Sequence, residues 1–375
     1  MSERAPVPPF TAAHERLRLE IRAFIEQRLR PHADEWEAAR WFPNEVFGWL
    51  AEAGYLGLNF GPEYGGGGDT VAAAVFVEEM ARCGSGGVAA GLGAHTGIAL
   101  PPIAAFGTDA QKRRYLVPAL RAELVAALAI TEPGAGSDVA GMRTHARRVD
   151  GGYVVNGAKT FITGGVRADI LVTAVKTSPD GGHHGLSFLI VEKSPGVSAS
   201  PLRKLGWHAS DTAEIAFDDV FVPAENLLGA EHQGFYLIMA NFQWERLLMA
   251  LGAVGAMQVC FEQTLAFVSG REDLCAQQAI RYRMAEIALE LEAGRAATYA
   301  ALRRHVTGED AVREVTIAKL RTQRSAFDVI DACVQIHGLD APAELERALR
   351  DARLGPIGGG TDEIMKEILG RSLGL

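Results

Sequence analysis

The feature that most limits how this chain can fold is a change of texture in its middle. Between residues 127 and 228 the sequence turns to short runs rich in Val, Ile, Thr and Phe, such as "GYVVNGAKTFITGG", "DILVTAVKT", "LSFLIVEKS" and "AEIAFDDVFVP". Turn signals such as "DGG" and "PDGGHHG" separate them, the pattern of a strand-rich block. Before that block, "HERLRLEIRAFIEQRLRPHADEWEAA" and "TVAAAVFVEEMARC" carry helical spacing, punctuated at "GPEYGGGG" and "ALPPIAAFG". From 229 onward long helix-like segments return. Strands that do not alternate with helices argue against a doubly wound sheet, and no strand–GxGxxG–helix unit is present. The expectation is an α+β multidomain chain, with an N-terminal α-helical domain over 1–126, a central β-barrel or sandwich over 127–228, and a C-terminal helix-bundle domain over 229–375.

At 375 residues, 48% of them hydrophobic, the chain can bury more than one core. Its net charge of −9 and the lack of a long Lys/Arg run argue against a nucleic-acid surface, which needs a positive excess. Cys83, Cys260, Cys275 and Cys333 are spaced neither as a metal knuckle nor as a redox pair, and read as thiols of a reducing compartment. His183, His184, His208 and His232 lack the helical i, i+4 pairing of a zinc motif, so no metal is expected. "MSERAPVPPFTAAHERLRLE" has no apolar signal core and "GRSLGL" is not a peroxisomal address, so the expected location is cytoplasmic.

Residues 234–270, "GFYLIMANFQWERLLMALGAVGAMQVCFEQTLAFVSG", are apolar on nearly every helical face for most of their length, as in a helix buried on all sides. A membrane span would fit the length, but Asn241, Gln243, Glu245 and Arg246 stand within it. A charge held away from water costs several kcal/mol. Neighbouring residues on a helix point about 100° apart, so Glu245 and Arg246 do not simply neutralise each other. Two readings follow: each pairs with a charge on a neighbouring helix, or Glu245 is a carboxylate with a raised pKa, poised as a general base.

The stretch "AITEPGAGSDVAG" (129–141) looks like the signature of acyl-CoA dehydrogenases. "NGAKTFITGG" (156–165), "KLGWHASDTAEIAFDDVFVPAENLLG" (204–229), "WERLLMALGAVGAMQ" (244–258) and "RDARLGPIGGGTDEIMKEILGR" (350–371) follow in that family's order. The resemblance covers nearly the whole chain. It implies a helical domain, a central β-domain and a C-terminal four-helix bundle, with FAD held between domains and subunits of a homotetramer or dimer. It further implies an acyl-CoA or acyl-carrier-protein thioester as substrate and an electron-transfer flavoprotein as electron acceptor, with no nucleic-acid or membrane partner.

Residue roles carry over where the motifs match. Ile130, Thr131, Gly136 and Ser137 fall on the loop that holds flavin ring and phosphates, where Gly permits close backbone approach and N–H groups meet phosphate oxygens. Ser137 also falls to the substrate side. Phe161 and Thr163 match positions flanking the isoalloxazine. Many members carry their catalytic carboxylate in the loop where this chain has Gly359. Members resembling the isovaleryl and long-chain type instead use the Glu before an Arg on the first long C-terminal helix, which matches Glu245 and Arg246. Gly359 would then contribute its backbone N–H to the thioester carbonyl, with Arg246 and Gly358 also on the substrate side. Gly358 stands where many relatives have Tyr, and the lost ring implies room for a branched acyl chain. Thr361 and Glu363 follow on the cofactor side; Glu363 and Asp362 read equally as the first turn of a helix capped by Thr361.

Two segments depart from the family. The region after the first long helix, "SGREDLCAQQAIRYRMAEIA", keeps Arg271 but lacks the usual Phe-Gly pair. "QIHGLDAP" keeps Gln335 and Gly338, while Leu339 replaces a second Gly. In the family both segments belong to the part of the FAD site shared between subunits. Beside a dehydrogenase, the sequence therefore leaves open a partner subunit of a heteromeric enzyme, or a flavin oxidase or monooxygenase on the same fold.

Overall fold

The computed structural model describes residues 6–178 and 182–375. The first part of the "PDGGHHG" turn signal and the first residues of the N-terminal stretch lie outside them. The N-terminal region is helical: α1 (Ala12–Arg28), α2 (Ala33–Ala39), α3 (Glu45–Glu52), α4 (Thr70–Glu79), α5 (Gly86–Gly93), α6 (Leu100–Phe106), α7 (Asp109–Gln111) and α8 (Val117–Leu120). Local chemistry explains several starts. Thr11 and Thr108 close capping boxes, and the Asp69 carboxylate accepts from the Val71 and Ala72 N–H groups at the head of α4.

Among the described residues the middle of the chain forms one sheet of eight strands: β1 (Ala126–Ala129), β2 (His145–Val149), β3 (Gly152–Ile162), β4 (Ile170–Lys176), β5 (Leu186–Glu192), β6 (Val197–Pro201), β7 (Ala213–Pro223) and β8 (Leu227–Leu228). Their order is β6-β7-β3-β2-β4-β5-β8, with β1 parallel to β4. In β4, Ile170, Val172 and Ala174 join a core shared with α6, whereas Leu171 and Val175 join a core enclosed by the sheet itself. β4 and β5 are thus buried on both faces, which is why both read as continuous apolar runs rather than as alternation.

The C-terminal region contains α9 (Gly234–Ser269), α10 (Glu272–Cys275), α11 (Gln278–Val306), α12 (Val312–His337), α13 (Ala343–Ala352) and α14 (Asp362–Ser372). Two stretches, Gly86–Phe106 and Gly234–Ser269, have the length and composition of a membrane span. α9, the longer of the two, packs on α12, α11 and α4, which accounts for its apolar circumference.

Buried polar contacts join the three regions. His95 accepts from the Ala126 N–H at 3.0 Å and donates to the Ala119 carbonyl at 3.2 Å; burial lowers its pKa to about 4 and keeps it neutral. Arg167 pairs with Asp211 at 2.7 Å and donates to the Phe42 carbonyl, tying β-region to helices. Asp351 on α13 accepts from the N–H groups of Gly86 and Trp207, bringing all three regions to one point.

Candidate active site

A cavity of about 260 Å³ opens between α9, α13, the α4–α5 segment and the end of β3. Glu245 and Thr163 line it together, although 82 positions separate them in the chain. The α5 helix continues into a π-helical stretch, Ala94–Ala99, which forms part of the wall. Within it Gly97 packs closely on α9: a Cβ there would stand 2.5 Å from Leu248 Cδ1, and that side chain would have to shift.

Glu245 is partly buried, and its Oε2 is shielded from solvent without a hydrogen-bond partner. Among the described residues neither Glu245 nor Arg246 forms an ion pair. Burial pushes the Glu245 carboxyl up to about 7, against the opposing pull of the Arg246 and Lys319 charges. A carboxyl of this kind is half ionised near neutral pH and has an unengaged oxygen, the two properties a general base needs. Arg246 is buried, its Nε lacks a partner, and its guanidinium lies 5.6 Å from the Phe242 ring centroid.

The glycine loop meets this carboxylate. Gly359 has φ +60°, and a Cβ built on it would lie 3.9 Å from Glu245 Oε1 and 3.1 Å from Met249 Cγ. A side chain at 359 and the side chain of Glu245 therefore enter the same space from different elements. The Gly359 N–H donates no hydrogen bond among the described residues, so it is free to meet an acceptor. Gly358 points elsewhere: a Cβ there would touch Leu354 at 3.5 Å, and the residue is not on the cavity wall. Thr361 caps α14, its hydroxyl accepting from the Ile364 N–H at 3.2 Å. Glu363 lies exposed in the first turn beside Lys366, and Asp362 is buried against Arg324 at 2.7 Å.

Sequence reasoning missed what holds the loop. Lys319 on α12 is fully buried, and its Nζ donates to the carbonyls of Gly355 (2.9 Å) and Gly360 (2.6 Å), the two ends of the glycine turn. Burial lowers its pKa to about 8. A lysine inside the apolar stripe "TIAKLRTQ" was the available signal.

A second group of matched residues lies beside the end of β3. Phe161 is exposed and has φ +59°, a strained conformation for an aromatic residue that presents its ring outward at a break in the β3–β7 register. The loop after β1 is anchored by a buried ion pair that sequence reasoning also missed, Lys159–Glu132 at 2.9 Å. Lys159 donates in addition to the Ile130 carbonyl, and the Thr131 carbonyl accepts from the Thr160 N–H. Gly136 and Ser137 stay exposed at the loop's crest, where a Cβ on Gly136 would meet nothing within 4 Å. An anchored loop with an open glycine crest next to an outward aromatic ring fits a ring-bearing phosphate nucleotide.

The remaining matched residues are remote. Arg271 pairs with Asp340 at 3.1 Å, close to Gly338, and Gln335 donates to Asp331 on the surface. Gly338 has φ +57° and ψ −126°, a conformation open only to glycine. Leu339 is fully exposed. Arg271 lies about 39 Å from Glu245 along the α9 axis, at 1.5 Å per residue. No metal-ligand cluster occurs among the described residues.

The family descriptions "Acyl-CoA dehydrogenase, N-terminal domain", "middle domain" and "C-terminal domain" match residues 11–123, 127–220 and 232–374. Among curated relatives, long-chain specific acyl-CoA dehydrogenase of Mus musculus is 35% identical over 97% of this chain and 87% of its own length. Isovaleryl-CoA dehydrogenase of Oryza sativa is 36% identical over 97% and 92%. The solved acyl-CoA dehydrogenase of Geobacillus kaustophilus superposes with a TM-score of 0.95 at 37% identity, covering 99% of this chain and all of that one. PigA, solved with FAD and proline, and the prolyl acyl carrier protein oxidase AnaB superpose with TM-scores of 0.93 and 0.90 at 28% and 27% identity. They cover 99% and 98% of this chain, and each is covered in full.

Proposed function

We propose, for a chain that belongs to the acyl-CoA dehydrogenase family and uses FAD, that Glu245 takes the α-proton of an acyl-CoA thioester, which leaves as the trans-2-enoyl thioester. Bound FAD supplies the acceptor for the hydride lost from the β-carbon. The loop Ile130–Ser137, Phe161 and Thr163 would hold it against the cavity. The substrate's reacting carbons then sit between Thr163 and Glu245. The free N–H of Gly359 meets the thioester carbonyl oxygen and lowers the cost of the charge that develops there as the proton leaves. Lys319 fixes that donor by gripping both ends of its turn.

One observation carries this reading: a shielded carboxylate with an unengaged oxygen occupies the space that a side chain on Gly359 would enter. The structural alternative, an ion pair to a neighbouring helix, is not formed among the described residues: Lys319 on α12 acts on Glu245 through its charge, while its Nζ donates to the carbonyls of Gly355 and Gly360. The test is anaerobic titration of the purified flavoprotein with a panel of acyl-CoAs, reading the flavin absorbance. One of them should bleach the wild type, and Glu245→Gln should bind the same thioester while bleaching about 10³-fold more slowly. An equal rate in the variant would remove Glu245 from the chemistry. A protein that neither carries nor takes up FAD would be a partner subunit of a heteromeric enzyme.

The subunit arrangement, the acceptor and the location belong to the same reading. The wide separation of Arg271, Gln335 and Gly338 from Glu245 supports a homotetramer or dimer in which these residues serve a neighbour's FAD. Electron-transfer flavoprotein as acceptor follows from the family resemblance. Four unpaired cysteines suit a reducing cytoplasm. The structural likeness to PigA and AnaB supports one second reading, an oxidase acting on a carrier-protein thioester. Rapid reoxidation of the bleached flavin by oxygen would favour it.

A further inference from the structure

The cavity does not end at Glu245. Its lining continues along one face of α9 through Met249, Gly252, Ala256 and Cys260 to Gln263, positions that recur at helical spacing. At 1.5 Å per residue, Glu245 and Gln263 lie about 27 Å apart along the helix axis. The facing wall follows the same course. Gly97 closes on Leu248, Ala81 lies against Gly255, and Arg82 pairs with Glu262 at 2.8 Å. The α4–α5 segment therefore accompanies α9 into its last turns, and Ala348 and Ala352 of α13 add a third side. The walls are mostly apolar until the far end, where Gln263 Oε1 and Glu344 Oε1 are shielded without a hydrogen-bond partner.

Two glycines on different helices line this passage. A Cβ added at Gly93 on α5 or at Gly252 on α9 meets no atom within 4 Å, so neither glycine is explained by close backbone approach. Neither has a positive φ. In a helix interior each weakens the element relative to Ala. What their missing side chains preserve is the bore of the passage.

We infer that this passage takes the tail of a long unbranched acyl chain, about fourteen carbons or more for a span of about 27 Å, and that Gly93 and Gly252 set the length admitted. Each methylene that leaves water along the apolar walls favours the longer chain. A short branched acyl group would leave most of the passage unfilled, and Gly358, where sequence reasoning gave room for a branch, is not on the cavity wall. The inference rests on the reading of the site as a thioester dehydrogenase.

The experiment is a series of saturated acyl-CoAs from butyryl to stearoyl, with isovaleryl-CoA, on the FAD-loaded protein. The kcat/KM should rise with length to a maximum at or beyond myristoyl, with isovaleryl-CoA at least 100-fold below that maximum. A maximum at six carbons or fewer, or at isovaleryl-CoA, would overturn the inference while leaving the dehydrogenase reading intact. Gly252→Leu should lower the palmitoyl-to-hexanoyl ratio of kcat/KM at least 100-fold, chiefly through the palmitoyl KM, and Gly93→Leu should do the same from the facing wall. Unchanged ratios in both variants, with unchanged Tm, would sink it. Should no thioester bleach the flavin, calorimetric binding of palmitoyl-CoA and hexanoyl-CoA still decides. Tighter palmitoyl binding that either leucine removes supports the passage; equal binding of the two refutes it.

Discussion

Glu245 makes the pH dependence specific. Its carboxyl titrates near 7 in the folded protein instead of near the ordinary 4.5, and a base must be ionised to act. Activity should rise with pH through about 7 in a kcat/KM profile and level off above it. For stability the sign is the reverse: the folded state holds the proton more tightly, so the penalty is absent below about pH 4.5 and complete above 7. Glu245→Gln should therefore be more stable than wild type at pH 8, by on the order of 3 kcal/mol, and nearly equal to it at pH 4.5, in denaturant titrations at the two pH values. Lys319→Met leaves the carbonyls of Gly355 and Gly360 without a donor and removes a positive charge near Glu245. Stability should fall by about 2 kcal/mol, kcat should fall more than KM rises, and the kinetic pKa should move upward. A loss of stability alone, with the pH profile unmoved, would reduce Lys319 to a packing role.

At the scale of elements, α14 is fixed by one side chain. Thr361→Ala removes the hydroxyl that caps its first turn and should cost about 1 kcal/mol by thermal melting. Because Gly359 and Gly360 directly precede this cap, the variant should also raise the KM for the thioester. The strand-rich block and the long apolar helix were legible in the sequence because each carries a repeating physical pattern, composition in one and circumference in the other. Glu245 was legible as a charge inside that helix. The carboxylate's nearness to Gly359 was not, since it joins α9 to a loop more than a hundred positions later. Lys319 and the Lys159–Glu132 pair were missed because a single buried charge among many surface ones has no local periodicity. The sheet's branching at β4, which pairs with β1, β2 and β5, was equally invisible: pairing partners are chosen by tertiary closure.

For the whole molecule the decisive geometry is the length of α9. Residues that the family resemblance assigns to one cofactor stand far apart along it, so in the proposed reading a single chain offers two half-sites and not one whole site. If subunits complete each other, dilution below the dissociation point should release flavin as the oligomer falls apart. Light scattering and flavin absorbance should then change together, and Arg271→Ala should weaken flavin retention without altering the Tm of the apoprotein. Independent transitions would assign the whole cofactor site to one chain.

The meeting of Glu245 with the space above Gly359 bears on how such catalysts diverge. Two carboxylates that close would share a proton, one held neutral while the other stays ionised. A descendant carrying Glu at both positions would keep a working base throughout. The proton acceptor can thus migrate from helix to loop, or back, through ancestors that are all alive. In the proposed reading, an alignment scored at the glycine alone would miss the base, which stands on α9 instead.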